Sequence, residues 1–130
     1  MEPVVVCDRE AALDLAGLFS TEGGVARLAG SRCSSCGAVA FPPRSVCAEC
    51  GGRDLTRALL AGRGAVVSAT HVVTPPAGFD QPIVVALVDL VEGPRLFALL
   101  TAPAAPGSLV QAVPAQVRNH HPGFAFEPLP

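Results

Sequence analysis

Residues 33–50 read CSSCGAVAFPPRSVCAEC, and this stretch decides how the chain is organised. It contains two Cys-x2-Cys pairs separated by ten residues, and each pair is followed by a glycine, Gly37 or Gly51. A two-residue gap lets both sulfurs of a pair reach one ion, and glycine permits the positive φ of a tight turn. The spacing therefore predicts one tetrahedral metal site with four thiolate ligands. The ligands are Cys33, Cys36, Cys47 and Cys50.

The ion that suits this site is a structural zinc. Four thiolates leave no open coordination position, so we expect zinc to stabilise the fold and to take part in no chemistry. Residues 33–54 are too few, and too rich in Gly and Pro, to bury a core of their own. Iron in the same cage, or cysteines that are incidental or disulfide-bonded, are the alternatives. Cys7 lies outside the pattern and is expected to be a buried or incidental thiol.

The composition points to one compact β-rich unit with a small appendage. Half of the 130 residues are hydrophobic, only 15% are charged, and Gly and Pro contribute 13 each. This mixture favours short strands and many turns over long helices. No stretch approaches the roughly 20 apolar residues of a membrane helix, and the N-terminus lacks a basic segment followed by an apolar signal core. We therefore expect a cytoplasmic protein, in which thiols stay reduced.

The charge balance argues against a nucleic-acid module. All nine basic residues are arginine, eleven residues are acidic, and the net charge is −2. A nucleic-acid binder needs a positive surface to displace counterions, and single-strand binders add aromatic platforms. This chain has six Phe and no Trp or Tyr. Low charge with high apolar content instead indicates that another protein covers part of the surface.

The chain is expected to divide into three segments. Residues 1–29 are predicted to contain a short helix that ends near Phe19, because an Asp cap precedes a run with an apolar face. Residues 30–54 form the metal-binding ribbon, and residues 59–130 form a β domain. Residues 51–60 are predicted to act as a short linker between them.

The β domain shows five runs of apolar and β-branched residues between turn signals. The runs are GAVVSATHVV (64–73), IVVALVDL (83–90), RLFALLT (95–101), LVQAVPAQVRNH (109–120) and FAFEPL (124–129). Five strands without a long helical crossover predict a small antiparallel barrel, of which the OB-fold is the five-stranded example. Because IVVALVDL is apolar at consecutive positions, both of its faces are expected to be covered, so Val85→Asp or Leu87→Asp should be severely destabilising.

No catalytic set is visible among the residues. His71 lies in a predicted strand, and His120 and His121 precede a Pro-Gly turn without a Cys, Asp or Glu at metal spacing. We interpret these as structural or surface histidines, and Asp89 and Glu92 as solvated residues that flank a hairpin. The chain lacks a G-x-S-x-G motif and a phosphate-binding glycine loop. The residues alone therefore predict a protein that is not an enzyme by itself.

The order of the motifs resembles one family. An arginine precedes the first cysteine, Phe41-Pro42-Pro43-Arg44 lies between the cysteine pairs, and Gly62 and Gly64 precede the first barrel strand. A V-x-L-x-E-G hairpin follows at 88–93, and the chain closes on PGFAFEPL. Over residues 27–130 this arrangement is similar to the zinc-ribbon/OB-fold family catalogued as domain of unknown function thirty-five.

The resemblance implies a mainly β fold with a short N-terminal helix, a rubredoxin-like zinc ribbon and a C-terminal five-stranded OB-fold barrel. It also implies a small accessory subunit of acyl-CoA enzymes, such as thiolases, aldolases resembling lipid-transfer proteins, synthases and acyltransferases. The catalytic residues would lie on the thiolase-like partner, which this subunit would stabilise while helping to form the acyl-CoA channel. The short N-terminal region without aromatic residues, and LVQAVPAQV (109–117) without a glycine, depart from the family. The Ala-rich, Lys-free composition suits a GC-rich bacterium and steroid or aromatic catabolism.

An acyl-CoA ligand presents an apolar, amide-bearing arm and anionic phosphates. Taken with the resemblance, Arg44 on the Pro-Pro loop and Arg63 between two glycines are the candidate phosphate contacts, and Phe41 and Phe79 could line a shared groove. The alternative is that both arginines are solvated or pair with nearby carboxylates. Other functions left open are a free-standing acyl-CoA binding module, a nucleic-acid-binding ribbon and barrel, and an iron electron carrier.

Overall fold

The computed structural model describes residues 4–5, 13–14, 18–120 and 122–130. Within these residues the chain forms eleven strands and one short 3-10 turn, Arg118–His120. Six strands precede the barrel: β1 Val4–Val5, β2 Leu13–Asp14, β3 Phe19–Glu22, β4 Val25–Cys33, β5 Val39–Ala40 and β6 Leu55–Leu60. Five strands form the barrel: β7 Arg63–Val72, β8 Ile83–Leu90, β9 Arg95–Leu100, β10 Leu109–Gln116 and β11 Pro122–Pro128.

The first six strands make one sheet, which we call the ribbon sheet. Its order is β1-β6-β4-β3-β2, and β5 pairs with β4. β4 and β6 run antiparallel from Leu28 opposite Leu60 to Cys33 opposite Leu55. The cysteine segment therefore connects two paired strands, from Cys33 at the end of β4 to Leu55 at the start of β6. The pairing brings the two ends of the segment together.

The second sheet closes on itself in the order β10-β11-β9-β8-β7, which confirms the predicted five-stranded barrel. Four of its five pairings are antiparallel, as expected, but β9 and β11 pair in parallel through Leu100 and Phe126. The parallel pairing follows from the chain directions: β7, β8 and β9 alternate, β10 opposes β7, and β11 opposes β10. β11 must then run in the same direction as β9.

Two local features let β7 curve around the barrel. The pairing of β7 with β8 shifts between Val66 and Ser68, so one extra residue bends the strand and strengthens its twist. Gly64 lies so close to the carbonyl oxygen of Asp89 that a Cβ there would clash with it. A side chain at this position would force the first pair of barrel strands apart.

One hydrophobic core joins the ribbon sheet to the barrel. The ribbon sheet contributes five buried residues: Phe19, Ala26, Leu28, Ala58 and Leu60. The barrel contributes eight: Val66, Ala86, Val88, Leu90, Leu100, Val110, Ala112 and Phe126. The ribbon therefore does not stand apart from the barrel, because its strands pack into the same core.

Two sequence predictions differ from the structure. The predicted helix is wrong for residues 13–14, which form β2, and for Phe19, which begins β3. β2 pairs with β3, and β3 pairs with β4. Phe19 lies in a strand because its buried ring belongs to the common core. The other residues of that prediction, and Cys7, lie outside the described residues. The linker predicted at 51–60 is wrong for residues 55–60, which form β6 because Ala58 and Leu60 are apolar at alternate positions and face the core.

The strand β8 gives a test of the core. Val88 is fully buried, whereas Leu87 points to the outer face of the barrel and is half-buried. We expect Val88→Asp to unfold the protein, because an unpaired buried charge costs several kcal/mol against a typical stability of about 5–15 kcal/mol. In the isolated chain Leu87→Asp should remain folded with a smaller loss of stability than the sequence analysis predicts for this substitution. Urea unfolding curves of the two variants measure the difference in the free energy of unfolding. Equal losses of stability would contradict an orientation of β8 with Val88 inside the barrel and Leu87 outside it.

Candidate metal centre

Two matching turns, which we call the knuckles, carry the four cysteines. In the first knuckle the Gly37 N–H donates to the Cys33 carbonyl at 2.9 Å, and in the second the Gly51 N–H donates to the Cys47 carbonyl at 3.0 Å. Both glycines have positive φ, 80° and 76° respectively. This is the role expected for the glycine after each pair, since other residues adopt that conformation at a cost.

The four sulfurs converge on one point. All four Sγ atoms lie within 4.8 Å of one another. Two distances between the knuckles, Cys33 to Cys50 and Cys36 to Cys47, are both 3.6 Å. Four sulfurs about 2.3 Å from a central ion in a tetrahedron are about 3.8 Å apart, so the cluster has the size of a zinc–thiolate cage. Sulfurs in a disulfide are about 2.05 Å apart, so these two pairs are not disulfides.

Backbone N–H groups point at the sulfurs. The N–H of Glu49 lies 3.3 Å from the Cys47 sulfur, and the N–H of Gly52 lies 3.4 Å from the Cys50 sulfur. A Cβ on Gly52 would lie 3.3 Å from the Cys50 sulfur, in the space beside the cluster. Such N–H groups stabilise thiolates, which are the form that binds a metal.

The same contacts lower the pKa of one cysteine in each knuckle. Hydrogen bonds from the N–H groups of Cys36 and Ser35 lower the pKa of the Cys33 thiol to about 6. The N–H groups of the second knuckle, that of Cys50 first, lower the pKa of Cys47. Both of these cysteines are buried, with 1% and 5% of their surface exposed.

The other two positions show why a cation is needed. At Cys36 the N–H of Ala38 is the largest single influence and lowers the pKa, but the three neighbouring cysteine sulfurs and burial together outweigh it, so the pKa rises to about 12. Four thiolates this close repel one another, so without a cation some of them hold their protons at neutral pH. A divalent metal ion would displace those protons, which makes the cluster a site for a cation with a preference for sulfur.

The four candidate acyl-CoA residues lie in different surroundings. Phe41 packs against the core, with its ring 6.1 Å from that of Phe124, and Arg44 is exposed and donates its backbone N–H to the Ser31 hydroxyl. Arg63 lines a cavity of about 440 Å³, whereas Phe79 lines a cleft of about 450 Å³ at one end of the barrel. The cavity and the cleft share no lining residue.

The histidines match their interpretation as surface or structural residues where they are described. The exposed His120 lies 2.8 Å from the Asp80 carboxylate, and His71 lines the cleft with Phe79. His121 lies outside the described residues. Asp89, at the end of β8, is partly exposed and pairs with Arg95, whose hydrogen bonds lower the pKa of the carboxyl.

Sequence reasoning missed two polar side chains at the junction of the ribbon sheet and the barrel. Glu92 is not simply solvated, because one carboxylate oxygen accepts from the Ala61 N–H at 2.9 Å and the other is buried. Gln111 is 6% exposed and forms four hydrogen bonds of 3.1 to 3.4 Å. The one signal for Gln111 in the sequence is a polar residue within the apolar run LVQAV. Among the described residues, no helix is long and apolar enough to cross a membrane.

Comparison with known proteins finds matches to two family profiles along the chain. Residues 22–56 match the family profile described as the ChsH2 rubredoxin-like zinc ribbon domain, and residues 58–114 match the ChsH2 C-terminal OB-fold domain. Among curated relatives, a DUF35 domain-containing scaffold protein of Pyrococcus furiosus is 42% identical over 77 residues, which are 58% of this chain and 56% of that protein. The chain spans about half the length of several such scaffold proteins.

Two further comparisons extend across both parts. The benzoylsuccinyl-CoA thiolase subunit BbsA of Thauera aromatica is 33% identical over 107 residues, which are 78% of this chain and 73% of that subunit. A chain of the solved structure entitled Ltp2-ChsH2(DUF35) aldolase is 34% identical with a TM-score of 0.66, covering 78% of this chain and 84% of that one. The chain therefore belongs to the ChsH2/DUF35 family, which joins a rubredoxin-like zinc ribbon to a C-terminal OB-fold.

Proposed function

We propose that this chain is a non-catalytic accessory subunit of a thiolase-like acyl-CoA enzyme, either a thiolase or an aldolase resembling lipid-transfer proteins. The observation that carries the proposal is the identity of 33% to a thiolase subunit over 107 residues, a length that must include both the ribbon and the barrel. The structural similarity to a chain of an aldolase assembly supports it independently.

The surroundings of the cysteines and of His120 support a non-catalytic role. The cysteines face one another in a closed cluster, so a metal held by all four would have no position left for substrate. His120 pairs with an exposed carboxylate rather than with a hydroxyl or thiol. We therefore propose that the catalytic nucleophile and base lie on the partner.

The outer surface favours association with another protein. Four large apolar side chains are more than 60% exposed on the barrel and its loops. They are Val73, Val91, Phe97 and Leu109. Burying such side chains against a partner removes apolar surface from water, which is the main driving force of protein association.

We propose that the metal is one structural zinc ion, bound by Cys33, Cys36, Cys47 and Cys50. The sulfur distances and the N–H groups aimed at the thiolates support zinc, which would cross-link the two knuckles. Thiolates stay available for the metal in a reducing compartment, so we place the protein in the cytoplasm.

Removal of a ligand tests the zinc proposal. Cys36→Ser or Cys47→Ser should abolish stoichiometric zinc and expose the amides of residues 30–54 to exchange, because the knuckles have little core of their own. Elemental analysis and hydrogen exchange measure the two effects. Cys7→Ser, the same change outside the motif, should retain one zinc per chain. Stoichiometric iron in the purified protein, or protected knuckles after zinc removal, would contradict the proposal.

For acyl-CoA, we propose two separate contact regions rather than one groove within the chain. The cleft lined by Phe79 has apolar walls that include Ile83, Leu99 and Pro103, and no Arg, Asp or Glu lines it. It suits the apolar or amide-bearing arm of the ligand. Arg63 lies at the other cavity, where its guanidinium could meet a phosphate.

The remaining two candidates have unequal roles in this proposal. Arg44 is exposed beside the second knuckle and remains available to a phosphate. Phe41 is half-buried against Phe124, so its ring would support the Arg44 loop more than it would touch a ligand. The partner would complete the site between the separate regions.

Reconstitution tests the accessory role. The purified chain should show no thiolase, aldolase or hydratase turnover, and co-expression with a thiolase-like subunit should give one active complex by size exclusion. The partner alone should be inactive or poorly soluble, because this subunit is proposed to stabilise it and to complete its acyl-CoA site. Turnover by the isolated chain, or full activity of the partner without it, would contradict the proposal.

Kinetics of the complex test the arginine contacts. Arg44→Ala and Arg63→Ala should each raise KM for acyl-CoA by about three- to tenfold with little change in kcat, because a contact remote from the reacting carbon acts through uniform binding. Arg57→Ala, at an exposed position on β6, is the matched control and should leave KM unchanged. Unchanged KM in both test variants would remove these arginines from the site.

A further inference from the structure

Only two residues, Ala61 and Gly62, connect the last ribbon strand to the first barrel strand. Gly62 has a φ of 77°, and a Cβ on it would lie 2.5 Å from the carbonyl oxygen of Ala26 and 3.0 Å from the Cβ of Ala112. The connection is therefore pressed between β4 and β10, and its path leaves no room for a side chain.

Gln111 binds this connection from the barrel side. Its amide nitrogen donates to the carbonyl oxygens of Ala61 and Ala112, both at 3.1 Å, and lies 3.4 Å from the carbonyl oxygen of Gly62. Its amide oxygen accepts from the Arg63 guanidinium at 3.1 Å. A buried glutamine with both ends of its amide engaged has little freedom to move.

Glu92 binds the same connection from another part of the barrel. It lies in the turn between β8 and β9, and its carboxylate accepts from the Ala61 N–H at 2.9 Å. The neighbouring backbone adds two bonds, from the Ala112 N–H to the Gly62 carbonyl at 2.7 Å and from the Val91 N–H to the Arg63 carbonyl at 2.9 Å. The polar groups of the connection are thus held by β10 and by a barrel turn.

We infer that Gln111 and Glu92 are positioning residues that clasp the connection and fix the orientation of the ribbon sheet on the barrel. The cysteine cluster and the barrel then form one rigid surface. The clasp consists of two side chains, Gln111 and Glu92, that reach residues 61–63 from elements 30 to 50 positions away in the sequence. This inference rests on the geometry of the chain alone and does not depend on the proposed function.

The substitution Gln111→Glu tests the clasp, because it replaces the donating amide with a carboxylate that faces three carbonyl oxygens. The charged groups around it are Arg63, which favours the ionised form from an exposed position, and Arg27 and Glu92, which line the adjacent cavity. The buried carbonyl oxygens disfavour the ionised form more strongly and should raise the pKa of the introduced carboxyl. The protonated acid could donate a hydrogen bond as the amide does.

Hydrogen exchange in the zinc-loaded chain gives the readout. In Gln111→Glu, protection of the Ala112 amide should fall about tenfold or more at about pH 8 and recover partly at about pH 6, relative to wild type at each pH. Amides of the β8–β9 ladder should keep their protection. Gln116→Glu, at an exposed position on the same strand, should change neither. Unchanged protection of the Ala112 amide, or an equal loss of protection in the β8–β9 ladder, would overturn the role of Gln111.

Glu92 provides a second test that does not depend on the folding of the Gln111 variant. Glu92→Ala should lower protection of the Ala61 amide about tenfold, and Glu92→Gln should restore it, because the amide oxygen still accepts the bond. Residual dipolar couplings should fit one alignment tensor in the wild type and two in Gln111→Ala/Glu92→Ala. A single tensor in that double variant would show that the core alone sets the orientation, and would overturn the inference.

Discussion

The mutual repulsion of four sulfur atoms within 4.8 Å is the constraint on which the ribbon depends. Backbone N–H groups stabilise part of that negative charge, but the pKa of Cys36 is raised to about 12 in the presence of its neighbours. A bound cation would remove the repulsion and would cross-link the two knuckles. The first knuckle begins at the end of β4 and the second ends shortly before β6, so such a cross-link would also support the pairing of these two strands.

That pairing lets a segment without a core of its own join a larger one. Leu28 and Leu60 face each other across β4 and β6 and are fully buried in the cluster that also contains Val110 and Ala112 of the barrel. A ring contact extends the common core towards the knuckles, since Phe41 packs against Phe124 and Phe124 against Phe19. The cysteine cluster is therefore joined to the barrel by packing as well as by the chain.

The proposed acyl-CoA contact regions lie around the common core rather than in it. The cysteine cluster is closed, whereas the Phe79 cleft and the Arg63 cavity open at separate places on the barrel. An acyl-CoA molecule has both apolar and anionic parts, so a partner that spans these regions would bring them into one site. The fixed junction at Ala61 and Gly62 would keep their spacing constant in such a complex.

The sequence by itself determined that the four cysteines form one cluster, and it determined the five barrel strands and the order of ribbon and barrel, because cysteine spacing and apolar runs are local signals. Only the tertiary structure decided that residues 13–14 and Phe19 lie in strands and that residues 55–60 complete the ribbon sheet, because both outcomes depend on pairing with β4. It also decided which face of β8 is buried, since the run IVVALVDL is apolar on both faces. The roles of Gln111 and Glu92 could not be read from the sequence, because their partners at 61–63 are distant along the chain and come close only when the barrel closes against the ribbon.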